Sequence, residues 1–140
     1  MILVPFAGEE ASVTDTLRAY FASVGFGRVV VTTAEKHDEL IAFTSQLCHV
    51  IATAYSRDRL IPETPGFSAG SFADMTRIAT QDPAVWSILF EQNRDSLLAV
   101  VDGFIARMSE FRTALASADH ATLERLIGEG AAAKRATIGL

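Results

Sequence analysis

Residues 82–116 read DPAVWSILFEQNRDSLLAVVDGFIARMSEFRTALA, and this stretch sets the architecture that we predict for the chain. Asp82 followed by Pro83 is a strong helix start, because a carboxylate caps the first turn and proline suits its first position. Apolar side chains then recur at helical spacing, at Val85, Leu89, Leu97, Val100, Phe104, Met108, Phe111 and Leu115. One continuous helix here would be on the order of 50 Å long. A domain of this size cannot cover it alone, so we expect a homodimer through these long helices.

Further helices flank this stretch. Asp119 caps a last helix that ends near Lys134 and Arg135, where positive charge suits the helix dipole. Upstream, Thr32-Thr33-Ala34-Glu35 fits a capping box for a helix that runs to about residue 56. Two prolines and two glycines make residues 61–70 a loop, and a shorter helix is expected over residues 72–80.

The first 33 residues have a different pattern. Ile2-Leu3-Val4 and the run from Arg28 to Thr32 are short apolar segments typical of buried strands, and an amphipathic segment between them ends at Gly25 and Gly27. A β-α-β unit gives two parallel strands, which need cover on their edges and faces. We therefore predict a mainly α (α+β) chain, with residues 1–33 as the end of a larger sheet and residues 34–140 as a helical domain.

Composition restricts the partners. The net charge is -5 with 21% charged residues, so nucleic acid is a poor partner, and 49% hydrophobic residues are ample for a core. No apolar run reaches the length of a membrane helix. Cys48 is the single cysteine, which excludes an intrachain disulfide and fits a reducing cytoplasm.

Three polar residues within apolar surroundings are the candidate binding residues. Arg77 can grip a carboxylate through two parallel hydrogen bonds, or it can pair with Asp74 on the same helix face. His49 and Gln46 share one face of an apolar helix, which indicates either a pocket wall or a satisfied buried hydrogen bond. Trp86 can pack in the core or line the same pocket, and Asn93 can hydrogen-bond across a dimer interface or face solvent.

Cofactor and metal sites are not expected in these 140 residues. Gly25-Phe26-Gly27 follows a helix rather than a strand, and Val30 stands where a third glycine would be required for a dinucleotide fingerprint. His37 and His49 point about 120° apart on one helix and cannot share a metal. Cys48 and His49 are adjacent and also point apart, so we predict no catalytic residue and no metal ligand here.

The segment from Phe72 to Ala79, followed by Asp82-Pro83 and Trp86, closely resembles a segment of prephenate dehydrogenases that reads roughly Gly-Gly-Phe-x-Asp-x-Thr-Arg-Ile-Ala, then Asp-Pro-x-x-Trp. His37-Asp38 and the run from Ser45 to His49 resemble that family's His-Asp and Ser-His-Leu-Pro-His. The resemblance covers nearly the whole chain. Gln46 and Cys48 depart from it, since the family usually has histidine and proline at these positions.

The resemblance implies a fragment of an enzyme that oxidatively decarboxylates prephenate to 4-hydroxyphenylpyruvate with NAD or NADP, in tyrosine biosynthesis. Arg77 would bind a prephenate carboxylate, and His49, with Gln46 beside it, would line the same pocket. The family holds its cofactor and its catalytic histidine in an N-terminal domain, so the chain alone is expected to be inactive and to bind no cofactor. A stand-alone module that senses an aromatic acid such as tyrosine, or that only dimerises, is the alternative, as is an arogenate dehydrogenase fragment.

Overall fold

The computed structural model describes residues 1–137. The chain divides into two compact units, Met1–Leu97 and Leu98–Leu140. It is mainly α with a short β unit, as predicted from the sequence. The domain boundary that we predict between residues 33 and 34 stays a prediction.

The N-terminal segment forms the expected β-α-β unit. Strand β1 (Ile2–Leu3) and strand β2 (Val30–Val31) pair in parallel, with Ile2 opposite Val30 and Leu3 opposite Val31. Helix α1 (Ala11–Ser23) connects them and ends before Gly25, whose φ of 97° favours a residue without a side chain. The side chains of Ile2, Val30 and Val31 stay exposed on this two-stranded sheet.

The predicted helix from Thr33 to about residue 56 is present and contains a π-helical turn. Helix α2 (Ala34–Ile41) leads into the π-helical turn Ala42–Gln46 and then into helix α3 (Leu47–Tyr55). The N-cap is Thr33, whose hydroxyl accepts from the backbone N–H of Lys36, so the cap lies one residue later than a box beginning at Thr32. The extra residue of a π turn is a local feature that periodicity does not resolve.

The next segments contain two short 3-10 turns and helices α4 (Gly70–Thr76) and α5 (Pro83–Gln92). The 3-10 turns are Ile61–Glu63, in the predicted loop, and Arg77–Ala79, which continues α4 as far as the shorter helix was expected to reach. Asp82 caps α5 as predicted, because its carboxylate accepts from the backbone N–H groups of Ala84 and Val85 at 2.9 and 3.0 Å.

The prediction of one helix over residues 82–116 is wrong, because the helix breaks at Asn93. Helix α6 (Arg94–Ala116) begins after Asn93, whose φ of -111° and ψ of 31° leave the helical region. The Asn93 side chain hydrogen-bonds outside its own helix, and asparagine competes in this way for non-helical backbone. Helix α6 alone is about 35 Å long rather than 50 Å.

Helix α7 (His120–Arg135) follows a short turn in the second unit. Ala118 takes the left-handed conformation at φ 51°, and Asp119 caps α7 by accepting from the backbone N–H of Thr122. Lys134 and Arg135 lie in the last turn, as predicted from the dipole argument.

Within residues 1–137, few side chains are buried. The buried apolar residues are Ala42, Leu47, Ala52, Leu97 and Ala114, and the buried polar residue is Gln46. Large apolar side chains on α6 and α7 remain exposed, namely Leu98, Ile105, Met108, Leu115 and Ile127. None of the helices within residues 1–137 is both long enough and apolar enough to cross a membrane.

Candidate functional site

The imidazole of His49 is held between two elements of the first unit. Its Nδ1 lies 3.2 Å from the backbone carbonyl of Ile78, and its ring stacks on the indole of Trp86 with centroids 3.6 Å apart and planes tilted by 34°. A carbonyl oxygen only accepts, so Nδ1 carries the proton and Nε2 of the neutral ring is an acceptor. Both side chains are half-buried, and His49 makes the hydrogen bond that one of its two interpretations required, while a role of His49 or Trp86 in lining a pocket stays a prediction.

Trp86 reaches this position because α5 begins where it does. The Asp82 cap fixes the first turn, and the backbone N–H of Trp86 donates to the Asp82 carbonyl at 3.1 Å. One turn later, Phe90 meets the Trp86 ring edge-on with centroids 5.6 Å apart. A helix start that was recognisable in the sequence therefore positions the indole that stacks on His49.

Gln46 lies one turn before His49 and is only 6% exposed. Its Nε2 donates to the Leu89 carbonyl at 3.1 Å, and its Oε1 accepts from Asn93 Nδ2 at 2.9 Å. Asn93 uses its second N–H for the Asp38 carbonyl, also at 2.9 Å. Gln46 therefore makes the satisfied, buried hydrogen bonds that one of its two interpretations required. Its contact with a substrate stays a prediction.

Arg77 begins the 3-10 turn against which α3 packs. Because His49 bonds to Ile78, the residue after Arg77, the two predicted site residues lie at neighbouring points of the fold. The Arg77 side chain is exposed, and no ion pair joins it to Asp74 among the four found in residues 1–137. The purely structural interpretation of Arg77 therefore lacks the contact on which it depended.

An apolar cavity of about 590 Å³ lies in the same unit and was not anticipated from the sequence. Tyr55 at the end of α3 and Phe72 on α4 both line it and contact each other edge to face, with centroids 6.0 Å apart, and Met75 lies one turn further along α4. Phe67 in the preceding loop is 93% exposed at its rim. The spacing of Phe72 and Met75 was available in the sequence, but the loop that supplies further lining residues of the cavity has no periodic pattern to reveal it.

Other polar groups near the end of α3 were also missed. Gln81 Nε2 donates to the Thr53 hydroxyl at 3.0 Å, which joins the segment before α5 to α3. Gln81 Oε1 and Ser56 Oγ are buried without a hydrogen-bond partner within the part of the chain that the structure describes. Single Gln and Ser residues carry no sequence signal for such contacts, because long-range packing decides them.

The other side chains that could act as nucleophiles or metal ligands, His37 and Cys48, do not form a catalytic or metal site with each other. His37 Nδ1 lies 2.9 Å from the carboxylate of Asp38, its neighbour in sequence. Cys48 is exposed, and its thiol donates to the Thr44 carbonyl at 3.6 Å. Across residues 1–137, no three His, Cys, Asp or Glu side chains are grouped closely enough to hold a metal ion.

Comparison with known proteins gives one family. The family described as "Prephenate dehydrogenase, dimerization domain" matches residues 33–129. The cyclohexadienyl dehydrogenase of Zymomonas mobilis is 38% identical over 126 residues, covering 85% of this chain and 42% of that protein. The prephenate dehydrogenase of Bacillus subtilis is 31% identical over 96 residues, covering 65% of this chain and 26% of that protein. The chain thus spans less than half the length of these curated relatives.

Solved structures agree on the fold. An A. aeolicus prephenate dehydrogenase, in complex with hydroxyphenyl propionate and NAD+, superposes with a TM-score of 0.73 at 25% identity, over 98% of this chain and 49% of that chain. A Synechocystis arogenate dehydrogenase superposes with a TM-score of 0.84 at 16% identity, over 98% of this chain and 51% of that chain. At the lower identity the similarity concerns the fold alone.

Proposed function

This chain belongs to the family of prephenate dehydrogenase dimerization domains, and on that premise we propose that it is the dimer-forming and substrate-binding portion of such an oxidoreductase. The complete enzyme would oxidatively decarboxylate prephenate to 4-hydroxyphenylpyruvate with NAD or NADP, for tyrosine biosynthesis in the cytoplasm. The observation that carries the proposal is the meeting of His49, Trp86 and the Ile78 carbonyl beside Arg77, at the segment that resembles the family motif.

Arg77 is the proposed carboxylate ligand. Its guanidinium is exposed and is not engaged with Asp74, so its planar donor face is open to an acid. A bidentate contact with a carboxylate fixes orientation as well as position, which a lysine ammonium does not do. Prephenate has two carboxylates, and holding one of them would orient the ring for loss of the other as carbon dioxide.

His49 is proposed to line the same pocket. Its Nδ1 donates to the Ile78 carbonyl, so Nε2, which accepts in the neutral ring, is the atom that remains for a substrate hydroxyl. The stacked indole of Trp86 restricts the ring to one orientation, which favours a defined hydrogen-bond direction. Together with Arg77 this would orient an acidic ring compound from two sides.

Residues 1–33 are proposed to be the end of a larger dinucleotide-type domain, and residues 34–140 the helical domain. The exposed faces of Ile2, Val30 and Val31 support this, because two parallel strands are rarely left uncovered. Residues 1–140 contain no glycine-rich fingerprint that fits a dinucleotide, so we assign no step of the reaction to a cofactor held by this chain.

Dimerisation through the long C-terminal helices is the second part of the proposal. Exposed Ile105, Met108 and Leu115 on α6 support it, since apolar side chains of this size favour removal from water. The description of the family as a dimerization domain supports it further.

The test is calorimetric binding of hydroxyphenyl propionate, the compound seen in the A. aeolicus relative, to the purified chain. We expect Arg77→Ala to weaken binding by about tenfold to a hundredfold, because a bidentate charged pair is lost. Arg77→Lys should recover only part of that loss. Arg18→Ala on α1 is the matched control, since it removes another exposed arginine, outside the matched residues 33–129.

Two results would contradict the proposal. Equal binding by wild type and Arg77→Ala would remove Arg77 from the site. Turnover of prephenate with NAD or NADP by the purified 140-residue chain, followed by absorbance, would show that the chain does not need another domain. Tight binding of tyrosine with none of hydroxyphenyl propionate would favour the alternative, a module that senses an aromatic amino acid.

A further inference from the structure

The π-helical turn Ala42–Gln46 and helix α3, which follows it directly, contact α5 at two successive points, one polar and one aromatic. In the first, Gln46 Nε2 donates to the Leu89 carbonyl, and in the second, His49 stacks on Trp86. Gln46 precedes His49 by three residues, whereas Leu89 follows Trp86 by three residues. The two contacts are therefore one helical turn apart, between segments that run in opposite directions.

Asn93, the residue at which the helix breaks, completes the hydrogen bonding of the Gln46 side chain. Asn93 donates one N–H to Gln46 Oε1 and the other to the Asp38 carbonyl, both at 2.9 Å. The two amides thus connect α2, the π-helical turn that ends at Gln46, and the C-terminal turn of α5. The Gln46 side chain is buried, so each of these bonds is costly to lose.

We propose that Gln46 and Asn93 form a positioning pair that fixes the register of α3 against α5 and thereby holds the His49–Trp86 stack, in place of a direct substrate contact by Gln46. The ends of the Gln46 amide already have partners, and its side chain is shielded, so it has little left to offer a ligand. This inference rests on the proposed function in one respect only, namely that ligand binding weakens when the His49–Trp86 stack is disturbed.

The pair also accounts for two features that the sequence left open. Asn93 interrupts the apolar stripe because its amide is required at Gln46, a contact within the same unit. Gln46 stands where the family usually has histidine, and a neutral imidazole likewise presents one donor and one acceptor. Glutamine makes both contacts without titrating.

Trp86 is the single tryptophan of the chain, so its fluorescence and near-ultraviolet dichroism report on the stack directly. We expect Gln46→Met and Asn93→Ala each to change the Trp86 signal while far-ultraviolet dichroism keeps its helical content. Gln92→Met, at an exposed position on α5, is the matched control and should leave the signal unchanged. Gln46→His, measured at pH 8, should restore a wild-type signal in part.

Binding of hydroxyphenyl propionate provides the second readout. Both single variants should bind about tenfold more weakly, and the double variant no more weakly than the worse single one, because the two residues act as a unit. An unchanged Trp86 signal in both variants overturns the proposal. Weaker binding in Gln46→Met alone, with Asn93→Ala like wild type, also overturns it and makes Gln46 a direct ligand.

The two proposals fail in different ways. If the wild type does not bind hydroxyphenyl propionate, the proposed function fails, yet the Trp86 signals still decide whether the amide pair holds the stack. If Gln46→Met does not fold, Asn93→Ala and Gln46→His provide the same comparison. Asn93→Ala removes the hydrogen bond to Gln46, whereas Gln46→His retains a donor and an acceptor at position 46.

Discussion

The α3–α5 contact and the α6–α7 pair use their side chains in opposite ways. Where the π-helical turn and α3 meet α5, polar groups find partners inside the unit, as Gln46 does with Leu89 and Asn93. On α6 and α7, apolar side chains such as Ile105 at 56% and Leu115 at 66% remain exposed. The first region is specified by hydrogen bonds within the chain, whereas the second leaves large apolar side chains exposed, as the proposed dimer requires.

The largest effect is expected from a charge placed on the exposed apolar face of α6. Ile105→Glu places a charge on the exposed apolar face of α6 and should raise the dimer dissociation constant on the order of a hundredfold, because a two-fold interface contains the change twice. Sedimentation at several concentrations measures it. Val13→Glu, at an exposed apolar position of α1 before residue 33, is the control and should leave the dimer intact. A monomeric wild type would contradict the proposed dimer.

An intermediate effect tests the first region. Gln46→Met keeps the volume of a buried side chain but leaves the Leu89 carbonyl and the Asn93 amide without that partner, so we expect unfolding free energy to fall by about 1–3 kcal/mol. Gln92→Met at an exposed position should change it by less than about 0.5 kcal/mol. Urea unfolding followed by helical dichroism measures both. Equal losses in the two variants would mean that the amide pair contributes nothing specific.

The smallest effect concerns the start of α7. The backbone N–H and the hydroxyl of Thr122 donate to Asp119 and hold the pKa of that exposed carboxyl below its usual value. A lowered folded-state pKa means that the contribution to stability is present above the unfolded-state pKa and is lost as pH falls through the folded one. We expect a small acid-dependent loss of stability, below about pH 4. Asp119→Asn keeps a capping side chain and should remove this dependence in urea titrations at several pH values.

Local signals predicted most of the fold. The Asp82-Pro83 and Asp119 caps, the glycines after α1 and the apolar runs of β1 and β2 each act within a few residues, so the corresponding elements appear where they were expected. The break at Asn93 was missed because the apolar spacing continues across it. The side-chain contact that favours it lies 47 residues away, at Gln46.

The candidate site divides in the same way. The residue types and their order determined which side chains were candidates, because Arg77 and His49 stood out as polar groups among apolar neighbours. The resemblance of residues 72–86 to a family motif then suggested what these side chains bind. Only the tertiary structure decided that His49 stacks on Trp86, that Gln46 is joined to Asn93, and that Tyr55 and Phe72 border a cavity. Helical spacing fixes which residues share a face, because it is a property of one helix. Which partner that face meets depends on how separate helices pack, and no local pattern encodes it.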